Sequence, residues 1–181
     1  MSKIWKKNIT LPSGVEISIK DSLVTVKWPK GTLSYQTLPG VIVKQDGNIL
    51  SFEVDSLDKW NLRGLTRTLI NNMVVGVSSG YEKKLHILWV WYNCKVQWSR
   101  VVFNLGYSHP INFDLPKSVS ASQEKDPKWN DILILQSIDK QELGQVCAQM
   151  RVLRSPEPYK GKGIRFVWEI IKLKAGKTAK K

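Results

Sequence analysis

The chain has 181 residues and a formal net charge of +13, and 42% of its residues are hydrophobic. This apolar share is that of a globular protein and excludes a disordered basic tail, while the length suits one domain or two small ones. The excess of positive charge predicts a polyanionic partner, with nucleic acid favoured over an anionic membrane.

The cysteines and the first residues indicate the compartment. Cys94 and Cys147 lie far apart without a CxxC motif, so we predict two buried thiols rather than a disulfide or a metal site. The basic segment 1–7 is not followed by the apolar segment of a signal peptide. No apolar run reaches the roughly 18 residues that span a bilayer. We therefore expect a cytoplasmic protein that needs no cofactor.

The first half of the chain has the pattern of short strands followed by one helix. Alternating apolar residues predict strands at 15–19, 23–27, 32–35, 41–44 and 49–54. The last two should form a hairpin around Asp46-Gly47-Asn48. The helix is predicted to have Asp58 as its N-cap and to end before Gly80. Its core face is predicted to hold Leu62, Leu65, Leu69, Ile70, Met73, Val74 and Val77.

The second half repeats this order of elements. Strands are predicted at 85–92, 101–105, 111–115 and 132–135, the polar segment 118–130 is predicted to be a loop, and a second helix is predicted at 139–152. Asp139 and Glu142 have the spacing of a capping box at the start of this helix. Its core face is predicted to hold Leu143, Val146, Cys147 and Met150.

Both helices follow similar tetrapeptides. Ser56-Leu57-Asp58-Lys59 precedes the first helix, and Ser137-Ile138-Asp139-Lys140 precedes the second. Because the order of the surrounding elements repeats as well, we predict an internal duplication. The fold class is then α+β, with two similar domains that each pack an antiparallel sheet against one helix. We place these domains at 1–80 and 81–171, and a basic tail at 172–181.

The stretch from Arg154 to Arg165 is the strongest candidate for a binding site. Two prolines hold its start extended, and Tyr159 offers a ring on which a base can stack. Lys160 and Lys162 alternate with Gly161 and Gly163, so cations stand where a backbone lacking Cβ atoms can approach a bulky anion. A solvated loop is the alternative. Further cations at Lys172, Lys174 and Lys177, opposed only by Glu169, favour polyanion binding.

Catalytic patterns are not evident in the sequence. His86 and His109 are the only histidines, and neither belongs to a recognisable Ser/His/Asp or Cys/His arrangement. No HExxH, Walker A or GxGxxG motif occurs. His109 precedes Pro110 in a predicted turn, where a structural or phosphate-contacting role is favoured over catalysis. We therefore predict a binding protein and not an enzyme.

Several longer motifs resemble a known family. They are Pro29-Lys30-Gly31, Leu69-Ile70-Asn71-Asn72-Met73-Val74 with Gly76-Val77-Ser78, Gly80-Tyr81-Glu82-Lys83, Gly106-Tyr107-Ser108-His109-Pro110, Ile138-Asp139-Lys140-Gln141, the stretch from Pro156 to Arg165, and Ala175-Gly176-Lys177-Thr178. With these motifs the sequence resembles the protein six family of the large ribosomal subunit, in its bacterial form. The resemblance extends over essentially the whole chain.

The resemblance implies a structural role without catalysis. It implies binding to large-subunit rRNA near the sarcin–ricin loop and the stalk base, next to other ribosomal proteins and close to the site of translation factors. It also implies that the C-terminal domain makes the main rRNA contact, in agreement with the lysine cluster. Neither a membrane nor a small-molecule substrate is implied. The alternatives are a non-ribosomal RNA-binding module and an enzyme on nucleic acid that uses His109.

The tryptophans depart from the family pattern. The family usually has glycine where this chain has Trp5, Trp28, Trp89, Trp91, Trp98 and Trp168. Glycine sites that need a positive φ or a close backbone approach tolerate tryptophan poorly. We hypothesise that these residues are encoded by UGA and are read as glycine in the source organism. The family pattern leaves Trp60 and Trp129 unassigned.

Overall fold

The structure is a computed structural model that describes residues 7–56, 59–127 and 129–176. The chain divides into two compact units, one formed by Met1–Tyr81 with Ile138–Lys140 and the other by Glu82–Ser137 with Gln141–Lys181. Each unit combines antiparallel sheets with one helix, which confirms the predicted α+β class with two similar domains. No helix in the described ranges is long and apolar enough to cross a membrane.

The first unit contains six strands and the helix α1. Their bounds are β1 (Ile9–Thr10), β2 (Glu16–Lys20), β3 (Leu23–Trp28), β4 (Gly31–Gln36), β5 (Val41–Asp46), β6 (Ile49–Val54) and α1 (Trp60–Ser78). The strands form two antiparallel sheets, ordered β1-β6-β5 and β2-β3-β4. Alternate residues of β3 and β6 are buried, as a period of two requires when one sheet face meets the core.

The core face of α1 differs from the prediction at one position. Leu65 is 48% exposed, whereas the neighbouring Thr66 is fully buried. Thr66, Ile70, Val74 and Val77 follow the spacing of one helical face, and this face passes beside Leu65. The prediction was wrong there because hydrophobicity alone identified the apolar stripe, and a buried threonine does not contribute to that signal.

The ends of α1 are set by backbone geometry. Lys59 occupies the N-cap position and makes no side-chain cap hydrogen bond, while the predicted cap Asp58 lies outside the described residues. At the other end, the amide N–H of Gly80 donates to the Val75 carbonyl over 3.2 Å, and Gly80 has a φ of 80°. A glycine in this conformation is a common helix C-terminus, because it costs no steric strain.

The second unit is built from the remaining elements. Their bounds are β7 (Tyr81–Leu88), β8 (Asn93–Gln97), β9 (Arg100–Asn104), β10 (Ile111–Asp114), β11 (Val119–Lys125), β12 (Asp131–Ser137), α2 (Lys140–Leu153) and β13 (Gly163–Phe166). The strands form one sheet in the order β10-β9-β8 and another in the order β11-β12-β7-β13. The last of these strands brings the lysine-rich stretch into the sheet.

Three strands of this unit, β8, β11 and β13, were not predicted from the sequence. The segment predicted as a loop at 118–130 contains β11, which pairs along its whole length with β12. The strand β11 lies at the edge of its sheet and most of its side chains are exposed. Because backbone hydrogen bonds hold it in the sheet, its sequence does not need alternating apolar residues. Likewise, β8 buries Cys94 but few other side chains. By contrast, the strand predicted at 85–92 ends at Leu88, where the chain turns.

The helix α2 buries one face in the core of the second unit. The four predicted inner residues of α2, namely Leu143, Val146, Cys147 and Met150, are all buried, which confirms that face. Both cysteines are free and buried. Burial raises the pKa of Cys94 to about 12 and that of Cys147 to about 11, so neither thiol is ionised near neutral pH and both act as small apolar side chains.

Candidate nucleic-acid interface

Strand β13 anchors the lysine-rich stretch. Gly163 pairs with Leu88 of β7, and Arg165 pairs with His86. Ile164 between them is fully buried, and its amide donates to the Arg154 carbonyl over 2.8 Å. The stretch therefore leaves the second helix, forms a loop and returns as a strand whose apolar centre is fixed in the core.

The loop itself is closed by backbone hydrogen bonds. The amide of Glu157 donates to the Lys162 carbonyl over 2.8 Å, and the amide of Gly161 donates to the Glu157 carbonyl over 3.0 Å. These bonds hold Lys160 and Tyr159 at the tip, where Tyr159 is 53% exposed. Because the backbone is fixed, the cations are presented with little further ordering cost on binding.

The segment after β13 passes next to the loop. The amide of Lys174 donates to the Pro158 carbonyl over 2.8 Å, and Lys172 and Lys174 are both exposed. This segment begins the basic tail that was predicted at 172–181. Up to residue 176 this hydrogen bond gives it a defined position, whereas Lys177 lies outside the described residues.

A cavity of about 370 Å³ opens beside the loop. It is lined by Leu88, Trp89, Val90, Asn130, Lys160, Gly161, Lys162, Arg165, Ile171 and Leu173. Three of these residues are cations and none is a carboxylate, so the cavity has a positive field that no lining acid cancels. Its apolar lining, from the end of β7 and from the segment after β13, lowers the local dielectric and strengthens that field. A phosphate group with its ribose matches this combination of charge and apolar surface.

Gly161 and Gly163 are both buried, and packing explains at least one of them. A Cβ on Gly163 would lie 2.8 Å from the Arg154 carbonyl oxygen and 2.8 Å from that of Ser155, and φ there is 131°. A Cβ on Gly161 would meet only Leu173 Cδ2, at 3.7 Å. Gly163 thus permits close packing within the protein, and its contact with rRNA stays a prediction.

Arg154 and His109 do not line the cavity. The Arg154 guanidinium lies 5.0 Å from the ring centroid of Tyr107 and 5.9 Å from that of Tyr92. A hydrogen bond with Tyr107 is the main reason why the pKa of Arg154 is raised, so this residue is always charged. His109 is exposed, in the same loop as Tyr107. The structure therefore brings together Lys160, Lys162 and Arg165 and places these two residues outside that group.

Of the two acids in this region, Glu169 is paired inside the protein and Glu157 is exposed on the loop. Glu169 Oε1 accepts a hydrogen bond from Arg151 over 2.5 Å, and its other oxygen accepts one from the Phe166 amide over 3.2 Å. Since Arg151 belongs to α2, the pair ties the end of β13 to the helix. The carboxylate is consequently engaged inside the protein and does not neutralise the lysines of the loop.

His86 lies beneath this surface on β7. Its Nε2 atom is buried without a hydrogen-bond partner among the described residues, 3.8 Å from Asp126 Oδ2. Burial lowers the pKa of His86, the Asp126 carboxylate opposes this effect, and the Arg165 guanidinium adds to it. The imidazole is therefore neutral at physiological pH, in a largely buried position on β7.

We expect stability to depend on pH through His86. Its pKa in the folded chain lies below the ordinary value of 6.5, so the unfolded chain binds more protons below that pH. The free energy of unfolding should then fall as the pH drops from 6.5 through the folded-state pKa. Thermal unfolding between about pH 7.5 and about pH 5.5 would measure this. His86→Gln should lose less Tm over this interval than the exposed control His109→Gln; equal losses would contradict the prediction.

Residues that sequence reasoning missed complete the cavity wall. Asn130 comes from the connection between β11 and β12, and Leu88 and Val90 come from the end of β7 and the turn after it. The pairing of β7 with β13 brings these segments to the lysines. No local pattern marks Asn130, because its place depends on strand order. Within the described ranges, no group of three or more metal-ligating side chains occurs.

Comparisons with known proteins agree over nearly the whole chain. Residues 11–80 and 92–167 match the family model described as Ribosomal protein L6. The chain is 46% identical over 185 residues to Large ribosomal subunit protein uL6 of Chloroflexus aurantiacus, with 99% of both chains covered. It is 45% identical over 183 residues to the protein of the same name from Porphyromonas gingivalis, with 100% of both covered.

Proposed function

Because the chain belongs to the ribosomal protein L6 family, a structural family without enzymatic activity, we propose that the cationic cavity of its second unit holds it on rRNA. The protein is a structural constituent of the ribosome, found with the ribosomes in the cytoplasm, and its partners are rRNA and other ribosomal proteins. The observation that carries the proposal is the cavity lined by Lys160, Lys162 and Arg165 without a lining carboxylate.

The proposed mechanism is charge neutralisation on a rigid support. Lys160, Lys162 and Arg165 neutralise rRNA phosphates and release their counterions, so affinity depends steeply on salt. Lys172, Lys174 and Lys177 extend the positive surface along the segment after β13, and His109 and Arg154 add contacts at the neighbouring loop. Tyr159 stacks on a base or hydrogen-bonds to a ribose. As folded rRNA presents phosphates and 2′-hydroxyls in a fixed shape, recognition is mainly by shape.

The finer location is also part of the proposal. We place the contact near the sarcin–ricin loop and the stalk base, where the protein adjoins the ribosomal proteins of the stalk base. Translation factors bind close to this region, so the protein supports their site by keeping the rRNA in shape. It turns over no substrate in this role.

Cosedimentation tests whether the partner is the ribosome. Full-length protein produced in its own cells should sediment with large subunits and stay bound through a wash at moderate salt. A variant with Lys160, Lys162 and Arg165 changed to alanine should be lost in that wash. The charge-matched control Lys20→Ala, Lys27→Ala, Lys95→Ala should stay bound. Recovery of unchanged protein with smaller RNAs, and not with large subunits, would support the non-ribosomal RNA-binding module and overturn the proposal.

A further inference from the structure

At three positions where the sequence has tryptophan, the backbone φ angle is one that favours glycine. Within the described ranges, four residues other than glycine have a positive φ, namely Asp21 at 52°, Trp89 at 156°, Trp98 at 45° and Trp129 at 62°. Aspartate tolerates such angles because its short side chain bonds locally. A bulky side chain does not, and a tryptophan there is a genuine outlier. Three of the four outliers are tryptophan.

Trp98 occupies a turn whose counterpart in the first unit uses a permitted residue. The turn between β2 and β3 is Asp21-Ser22, and the turn between β8 and β9 is Trp98-Ser99. Both are two-residue hairpin turns, and their first residues have φ values of 52° and 45°. Such turns select glycine, asparagine or aspartate for that angle. The Trp98 side chain is fully exposed, at 103%, so packing does not offset the strain.

Trp129 has a glycine as its counterpart. Gly47 in the turn between β5 and β6 has a φ of 58° and is followed by Asn48. Trp129 in the connection between β11 and β12 has a φ of 62° and is followed by Asn130. The two connections occupy the same place in their units, directly before the strand that leads into the helix. Trp129 is 81% exposed, so its ring also gains little by burial.

Trp89 stands at the cationic cavity. The strand β7 ends at Leu88, and Trp89 then begins a turn in which its carbonyl accepts a hydrogen bond from the Tyr92 amide over 3.0 Å. Its ring lies 3.8 Å from Lys162 Nζ and lines the cavity. A glycine at this position would adopt the φ of 156° without strain and would leave that face of Lys162 open to an anion.

From these angles and from the repeat, we infer that the protein made in its own cells carries glycine at positions 89, 98 and 129. The codons at these positions, which the given sequence translates as tryptophan, are then read as glycine in those cells. The backbone angles reach this conclusion without the family pattern, and they add Trp129 to the positions that the family pattern indicated. Trp60 is the exception, because it is the first residue of α1 and its φ is not positive. The inference does not depend on the proposed function.

Peptide mass spectrometry of the protein purified from its own cells is the direct test. Trypsin should release residues 96–100 and 129–140, which contain the two most exposed tryptophan positions among the described residues. We expect both peptides to be lighter by the difference between a tryptophan and a glycine residue, and the codons of both positions to be UGA. Tryptophan in either peptide, or UGG at either codon, would overturn the inference.

Stability gives an independent readout in a host that inserts tryptophan at these codons. Trp98→Gly and Trp129→Gly should each raise Tm by roughly 2–4 °C, because each relieves a strained backbone angle. The matched control Trp60→Gly makes the same chemical change at a half-buried position without a positive φ and should lower Tm, because it removes buried apolar surface and relieves no strain. If all three substitutions lowered Tm alike, positions 98 and 129 would not be glycine sites and the inference would fail.

Discussion

Changing Lys160 and Lys162 together to alanine should weaken binding to large-subunit rRNA by about 10- to 100-fold, since hydrogen bonds to charged groups contribute about 1.5–3 kcal/mol each before solvent screening. Both lysines line the cavity and sit on a loop closed by backbone hydrogen bonds. Each lost phosphate contact should also flatten the salt dependence. The slope of log K against log salt is negative, and its magnitude should decrease by about 2.

Filter binding at several salt concentrations would measure both quantities. The control is Lys95→Ala with Lys117→Ala, which removes the same charge from exposed positions of the same unit that do not line the cavity. We expect the control to change affinity by less than about 3-fold, because distant surface charges are screened at physiological salt. If the two double variants lost equal affinity, net charge alone would explain binding and the cavity would have no special role.

Changing Gly163 to alanine should destabilise the second unit by about 3 kcal/mol, from steric overlap together with the positive φ. A Cβ there would lie 2.8 Å from two carbonyl oxygens and 2.9 Å from Pro156 Cα. These are backbone atoms of segment 154–156, which the hydrogen bond from the Ile164 amide to the Arg154 carbonyl holds against β13, so they cannot move aside cheaply. For a chain of this length, Tm should fall by roughly 6–12 °C.

Gly161→Ala is the matched control for this prediction. The new methyl group would lie 3.7 Å from Leu173 Cδ2, an ordinary contact, so only the strain of a φ of 70° remains. We expect a loss of about 1 kcal/mol there. A calorimetric scan of each variant would measure the difference. Unchanged Tm in Gly163→Ala, together with weaker rRNA binding, would show that this glycine serves the approach of RNA and would contradict its packing role.

Much of the fold could be predicted from the sequence because its signals are local. The strands of the first unit bury one face, so their apolar residues alternate, and the inner face of α2 follows the helical period. The edge strand β11 could not be found this way, because its partner β12 stabilises it through the backbone. Thr66 was missed for a related reason. It is fully buried on the core face of α1, and its polarity hides it from an apolar pattern.

The candidate site was only partly predictable. Lys160, Lys162 and Arg165 are neighbours in sequence, so their cluster is visible without a structure. Asn130 reaches the same cavity from another connection, and only strand order shows this. Arg154 has the right charge, yet it lies against Tyr107 and Tyr92, a contact between segments far apart in sequence. Charge composition thus predicted a polyanionic partner, and the topology determines which cations lie together.

Hydroxyl-radical footprinting of large-subunit rRNA would test the cationic cavity most directly. Large subunits lacking this protein would be supplied with the unchanged chain, with Lys160→Ala/Lys162→Ala, or with Lys95→Ala/Lys117→Ala. We predict that the unchanged chain and the control protect the same nucleotides, and that Lys160→Ala/Lys162→Ala loses a localised part of that protection at lower salt than the others. Identical protection by all three proteins at every salt concentration would contradict the assignment of rRNA binding to this cavity.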